Sequence, residues 1–221
     1  MPYRISKFVA GPLLKVLFQL KARGLENIPA HGKAILASNH FSFLDHFILP
    51  TIVDREITFI AKSELFENPI WGFLLTQWGQ ISLNRGTGDN SAVDQAIEVL
   101  NKGKLFGIYP EGTRTRDGKL HGGHTGVARI SLISGAPVIP VGMIGTYEIL
   151  PRGAVKPNFG KAEVRIGRPL DFTRHSGKEN DRKITRMITD EIMAEIGKLI
   201  GQQVEGEIYR YDEILPKDHE E

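Results

Sequence analysis

A chain of 221 residues with 41% hydrophobic and 24% charged residues can bury the core of one α/β domain. It has no cysteine, which excludes disulfides, thiolate nucleophiles and cysteine-ligated metals, and is compatible with a cytoplasmic setting. The formal charge is +2, but without the acid-rich residues 205–221 the chain has 26 bases against 19 acids, a surplus that favours anionic partners.

Residues 1–23 carry five bases (Arg4, Lys7, Lys15, Lys21, Arg23) and no acid. The apolar run 8–20 is interrupted by Pro12 and Lys15 and is shorter than the roughly 20 residues a spanning helix needs. No small-residue cleavage site follows it, so it does not read as a signal peptide. Ile5, Phe8, Val9, Leu13, Leu17 and Leu20 fall on one side with bases around them. Both an interfacial membrane helix and a helix packed on its own domain fit this pattern.

Short β-like runs, most of them nearly continuously apolar, follow at 34–37, 57–61, 80–83, 105–109, 138–143 and 163–166. Such runs predict strands covered on both faces. Helical patterns lie between them. One spans 43–53 and another 65–78, the latter with Pro69 in its first turn. A third, 91–102, starts behind an Asp89/Asn90/Ser91 capping cluster and stops at Gly103. Two more span 126–134 and 183–201. The alternation predicts a single α/β domain whose largely parallel or mixed central sheet is flanked by helices, preceded by the amphipathic N-terminal segment. The expected organisation is segment 1–23, domain 24–202 and acidic tail 203–221.

Polar residues follow the ends of several of these strands, where an α/β sheet builds its sites. They are Asn39, His40 and Asp45; Lys62 and Glu64; Asn84 and Arg85; and Glu111, Thr113 and Arg114. On one uniform helix His40 and Asp45 would stand roughly 140° apart. They can meet only if the histidine sits in the loop and the aspartate in the first turn of the next helix. The carboxylate would then hold one imidazole nitrogen while the other takes a proton. Equally, Ser42-Phe43-Leu44-Asp45 fits an S-x-x-D capping box, in which Asp45 only caps. The loop "YPEGTRTRDG" (109–118) offers amides near Gly112 and the planar fork of Arg114 to an anion, or is a charged surface turn. His121 and His124 lack an evident third ligand, so no metal site is expected. Nucleophile-elbow, phosphate-loop and dinucleotide motifs are missing, and bases are not interleaved with aromatics as in nucleic-acid binding.

Taken in order, these segments resemble the glycerolipid acyltransferases typified by 1-acyl-sn-glycerol-3-phosphate acyltransferase. "GLENIP" (24–29) resembles that family's lead-in strand and "NHFSFLD" (39–45) its N-H-x4-D signature. "KSELFENPIWG" (62–72) and "GQISLNR" (79–85) resemble its lysine and arginine segments. "YPEGTRT" (109–115) resembles its F-P-E-G-T-R-S block, and "APVIPVGMIGT" (136–146) its fourth, proline-containing block. The resemblance implies transfer of a fatty acyl group from acyl-CoA or acyl-carrier protein to the free hydroxyl of 1-acyl-glycerol-3-phosphate, forming phosphatidic acid. It implies no cofactor beyond that donor and no nucleic acid. His40 would be the general base and Asp45 its partner. Lys62, Arg85 and Arg114 would bind the acceptor phosphate, Glu111 and Gly112 would help position its glycerol backbone, Thr113 would belong to the same substrate-binding block, and the loop around Gly112 would offer amide donors to the oxyanion. Peripheral or monotopic attachment to the cytoplasmic side of the cell membrane would follow from a lipid acceptor and a basic N-terminus. "HGGHTG" (121–126) departs from the family, many of whose members have a base before this glycine, and many relatives carry clear transmembrane segments. Another acceptor (glycerol 3-phosphate, another lysophospholipid or a glycolipid), a thioesterase, and a membrane-binding protein with a decayed site are the competing readings.

Overall fold

The computed structural model describes residues 2–61, 63–82 and 91–205. Helix α1 (Pro2–Leu17) precedes strand β1 (Lys21–Arg23), and β2 (Ala34–Ser38) leads into α2 (Asp45–Ile52). Then come β3 (Ile57–Ala61), α3 (Glu64–Glu67), α4 (Pro69–Gln77) and β4 (Gln80–Ser82). Helix α5 (Ser91–Asn101), β5 (Leu105–Ile108), α6 (Gly126–Ser134) and β6 (Val138–Ile144) follow. The series closes with α7 (Thr146–Ile149), β7 (Glu163–Ile166) and α8 (Arg182–Ile200).

The strands form a seven-stranded sheet in the order β1-β7-β6-β2-β5-β3-β4. Every adjacent pair is parallel except β6 with β7, so the sheet is mixed. The two faces of β2 show why the central strands read as unbroken apolar runs. Ile35 and Ala37 enter one core with residues of α5, α6 and α8, such as Leu100, Ile130 and Ile192. Ala34 and Leu36 enter the other with Ile48 and Leu49 of α2 and with Phe18. A strand buried on both sides has no polar face to alternate with.

This topology also places the site. Strands β2 to β6 all run the same way, so their carboxyl ends share one edge. The chain leaves β2 towards β3 through α2 and leaves β5 towards β6 through α6, on opposite faces of the sheet. A crevice opens at such a switch point, here between the ends of β2 and β5.

Two local expectations are corrected, and two elements were not foreseen. Residues 24–29 are not a lead-in strand: the strand is β1, just before them, and Leu25–Asn27 form a 3-10 turn. Gly24 has φ 78°, and a Cβ there would lie 2.1 Å from the Ile166 carbonyl oxygen, so the chain bends at once after β1. The 65–78 pattern is two helices, because Asn68 precedes Pro69 and is driven to φ −77°, ψ 120°. Its side chain then caps α4 by accepting from the Ile70 and Trp71 amides. Helix α7 and strand β1 were too short to show any period. The Asp89/Asn90 part of the capping cluster and most of the acidic tail lie outside the described residues.

Helix α1 is apolar on two sides. Tyr3, Gly11 and Leu14, with Phe18 just beyond, face the domain, where the Tyr3 ring meets Trp78 edge-on. Phe8, Val9, Leu13 and Val16 face outward, from 64% to 82% exposed. The helix thus packs on its own domain and still presents an apolar face.

Candidate active site

The loop after β2 is held by its neighbours at every step. Asn39 is fully buried and works as a two-point bracket: Nδ2 donates to the Met143 carbonyl oxygen and Oδ1 accepts the Met143 amide. The His40 amide donates to Glu111 Oε1 at 2.9 Å, and its carbonyl accepts from the Thr115 amide. The ring of His40 stacks on Tyr109, with centroids 3.9 Å apart and planes 13° from parallel. Tyr109 in turn stacks on Phe59.

His40 Nδ1 lies 3.0 Å from Asp45 Oδ2, and the aspartate is wholly buried. The same oxygen accepts the Phe41 and Ser42 amides, each at 2.8 Å. The capping and catalytic readings of Asp45 are therefore both realised, on one atom. Only half of a capping box forms, since Ser42 Oγ accepts the Leu44 amide and donates to the Leu150 carbonyl oxygen. An ionised carboxylate can only accept, so Nδ1 carries the proton and Nε2 is left as a base.

The His40 ring lines a cavity of about 480 Å³, in the usual range for ligand pockets. Its walls are mainly apolar, with Phe43, Phe59, Leu65, Phe106 and Ile130 among them. His46 completes an aromatic wall, edge-on to His40, Tyr109 and Phe59. Burial, and secondarily the charges of His40 and Arg114, holds the His46 pKa well below the ordinary histidine value. A neutral imidazole there adds no charge beside the base. Burial likewise raises the Tyr109 pKa well above the ordinary tyrosine value, so a neutral ring backs His40.

The loop after β5 brings the remaining candidates. Both Glu111 oxygens accept backbone amides, Oε1 from His40 and Oε2 from His121. Glu111 thus clamps two loops together. Gly112 takes φ 68°, and its amide donates to the Tyr109 carbonyl oxygen. Its N–H is therefore engaged in a turn, which leaves the neighbouring amides of this loop as the ones open to an anion. Among the described residues the Thr113 and Arg114 amides have no such acceptor. Arg114 is half-buried, with its guanidinium 5.7 Å from the Phe43 centroid. Its pKa is lowered by burial first and by Arg152 second, with Asp45 opposing. Lys62 and Arg85 lie outside the described residues.

Sequence reasoning missed Arg152, which lines the same cavity from the turn after α7. The signal used for the other bases, a cation beyond a strand end, also applied here. Yet Arg152 sits eight residues past β6, within what reads as a surface turn. Among the described residues no group of three potential ligands is arranged to hold a metal, and no helix is long and apolar enough to cross a membrane.

The His40–Asp45 pair thus stands buried at the carboxyl edge of an α/β sheet, facing an apolar cavity with Arg114 and Arg152 at its rim. A family model described as Acyltransferase matches residues 19–144, more than half of the chain, and the chain belongs to that family. It is 33% identical over 180 residues to the chloroplastic 1-acyl-sn-glycerol-3-phosphate acyltransferase LPAT1 of Arabidopsis thaliana, covering 76% of this chain and 50% of that one. It is 30% identical over 195 residues to the 1-acyl-sn-glycerol-3-phosphate acyltransferase of Bacillus subtilis, covering 84% and 94%. The chain spans about half the length of the two plant chloroplast relatives, 50% and 49%. The solved structure of the 1-acyl-sn-glycerophosphate acyltransferase PlsC from Thermotoga maritima matches with a TM-score of 0.67 and 27% identity, covering 87% of this chain and 82% of that one.

Proposed function

We propose that the protein transfers a fatty acyl group from acyl-CoA or acyl-carrier protein to the free hydroxyl of 1-acyl-glycerol-3-phosphate. The observation that carries this reading is the His40–Asp45 pair, oriented by two amides and a stacked tyrosine, on the wall of an apolar cavity rimmed by Arg114. His40 Nε2 takes the hydroxyl proton as the alcohol oxygen attacks the thioester carbonyl. Asp45 stabilises the imidazolium that forms. The free Thr113 and Arg114 amides are the candidate donors to the tetrahedral oxyanion. Collapse expels the thiol sulfur, which takes the proton from His40. The reaction needs no acyl-enzyme, in keeping with a chain that has no cysteine, and uses the thioester donor only as a substrate.

Attachment to the membrane belongs to the same reading. Besides the outer side of α1, α4 exposes Ile70, Trp71 and Phe73. Trp71 meets Phe43 edge-on at 4.9 Å, and Phe43 lines the catalytic cavity. An apolar surface thus leads from α4 to the cavity, the arrangement a bilayer-resident substrate requires. We assign the protein to the cytoplasmic side of the cell membrane as a peripheral or monotopic enzyme. The lyso-ornithine lipid O-acyltransferase of Pseudomonas aeruginosa, 32% identical over 142 residues, supports keeping another lysolipid as the alternative acceptor.

The test is thioester cleavage by the purified protein with lysophosphatidic acid, with glycerol 3-phosphate, and without acceptor. The expected result is cleavage that depends on lysophosphatidic acid. His40→Ala should lower it by about 10²–10⁴-fold while the circular dichroism spectrum is unchanged. Equal cleavage with and without acceptor would mark a thioesterase, and a folded, active His40→Ala would overturn the mechanism.

A further inference from the structure

Arg152 is held where it is by the catalytic loops themselves. Ser42 Oγ, beside the amides that grip Asp45, donates to the Leu150 carbonyl oxygen at 2.8 Å. Tyr147 Oη donates to the Arg116 carbonyl oxygen at 2.9 Å. The chain then turns, with the Ala154 amide on the Pro151 carbonyl oxygen. These bonds bind the segment after β6 to both the His40 loop and the Arg114 loop. At its tip, Arg152 Nη1 donates to the Arg114 carbonyl oxygen at 3.3 Å and reaches Thr113 Oγ1 at 3.5 Å.

Two guanidinium groups are thereby brought to one rim. Among the described residues neither pairs with a carboxylate, whereas Arg23, Arg165 and Arg186 each do. Like charges repel, and an exposed arginine is free to swing into water, so close placement without a counter-ion points to an anion that arrives from outside. Arg114 and Arg152 also stand in the wall between two cavities. One is the apolar cavity of His40, and the other, of about 470 Å³, is lined by side chains of both charges, among them Glu111, Arg116, Asp117 and His121. An amphiphile with its chain in the first would present its headgroup at that wall.

We propose that Arg152 is the second arm of a two-arginine clamp, with Arg114, that grips the phosphate monoester of the acceptor and selects phosphate-bearing over neutral acceptors. Guanidinium forks match phosphate oxygens in pairs, which gives such a clamp direction as well as charge. The proposal rests on the acyl-transfer reading given above and adds the group that recognises the headgroup.

The experiment compares the full-length protein with Arg152→Ala and Arg152→Lys, using acyl-CoA as donor and either lysophosphatidic acid or 1-monoacylglycerol as acceptor. Arg152→Ala should raise the KM for lysophosphatidic acid about tenfold, with a much smaller effect on monoacylglycerol turnover and on the KM for acyl-CoA. Arg152→Lys should recover part of the loss. An unchanged KM for lysophosphatidic acid would overturn the proposal. So would a rise confined to acyl-CoA, which would assign the arginine to a donor phosphate. Direct titration with glycerol 3-phosphate separates the clamp from the chemistry: binding should weaken about tenfold in Arg152→Ala, and equal binding would sink the clamp. Wild-type protein that binds this phosphate but acylates neither acceptor would instead refute the acyl-transfer reading.

Discussion

Burial raises the Glu111 pKa to about 7, against the opposing pull of the His40 and His121 amides on its two oxygens. The native state therefore holds this proton more tightly than the unfolded chain, whose glutamates titrate near about 4.3. The stabilisation from this group is complete below the unfolded value and is lost as pH rises through about 7. A carboxylate is kept there because two amides need two acceptor oxygens, which a glutamine cannot supply. Glu111→Gln should accordingly flatten the fall of Tm between about pH 5 and pH 7. It should also lower kcat, because the His40 backbone loses its anchor on one side. A mutant with the wild-type slope would show that Glu111 does not titrate in this window. Glu111, Arg114 and the histidine–aspartate pair were all marked as candidates in the sequence, by their place beyond strand ends. Their partners were not, because hydrogen bonds between residues 71 positions apart leave no local pattern.

At the scale of elements, the site depends on how β3 and β5 meet. Phe59 and Gly107 are direct neighbours in the register. A Cβ on Gly107 would lie 2.3 Å from the Phe59 ring, so the missing side chain is the space the ring occupies. Phe59 then stacks on Tyr109, and Tyr109 on His40. Gly107→Ala should therefore cost about 1–3 kcal/mol by overpacking. A Tm drop of several degrees is expected. The kcat should fall as the Tyr109 ring is pushed towards His40. Adding Phe59→Leu should recover much of the stability, a non-additive pairing that a thermal-melt double-mutant cycle would measure. Strictly additive effects would mean that the two positions do not share this contact.

For the whole molecule, the sequence left open whether α1 packs inward or faces a membrane; it packs inward, and its second apolar side is the face on which the proposed membrane attachment rests. The bilayer prediction follows from the outward side of α1 and the neighbouring α4 face. Each large apolar side chain moved out of water contributes about 1.5–3 kcal/mol. Phe8→Glu combined with Phe73→Glu should thus cut sedimentation with anionic phospholipid vesicles by tenfold or more. Hydrolysis or transfer with short-chain, water-soluble acyl-CoA should be preserved. Unchanged vesicle binding by the double mutant would move the docking surface elsewhere.

The alternation of most strands and helices, the two-sided burial of the central strands and the strand-end position of the polar residues were determined by the sequence alone. Each is a local consequence of apolar spacing, turn residues and caps, and these act within a few residues. The strand order did not follow from such signals, nor did the double use of Asp45 Oδ2, the occupied Gly112 amide, the aromatic stack behind His40, or the arrival of Arg152 beside Arg114. Those were decided by the tertiary structure. They arise where segments far apart in the chain converge at the carboxyl edge of the sheet, and convergence depends on how the connections cross its two faces.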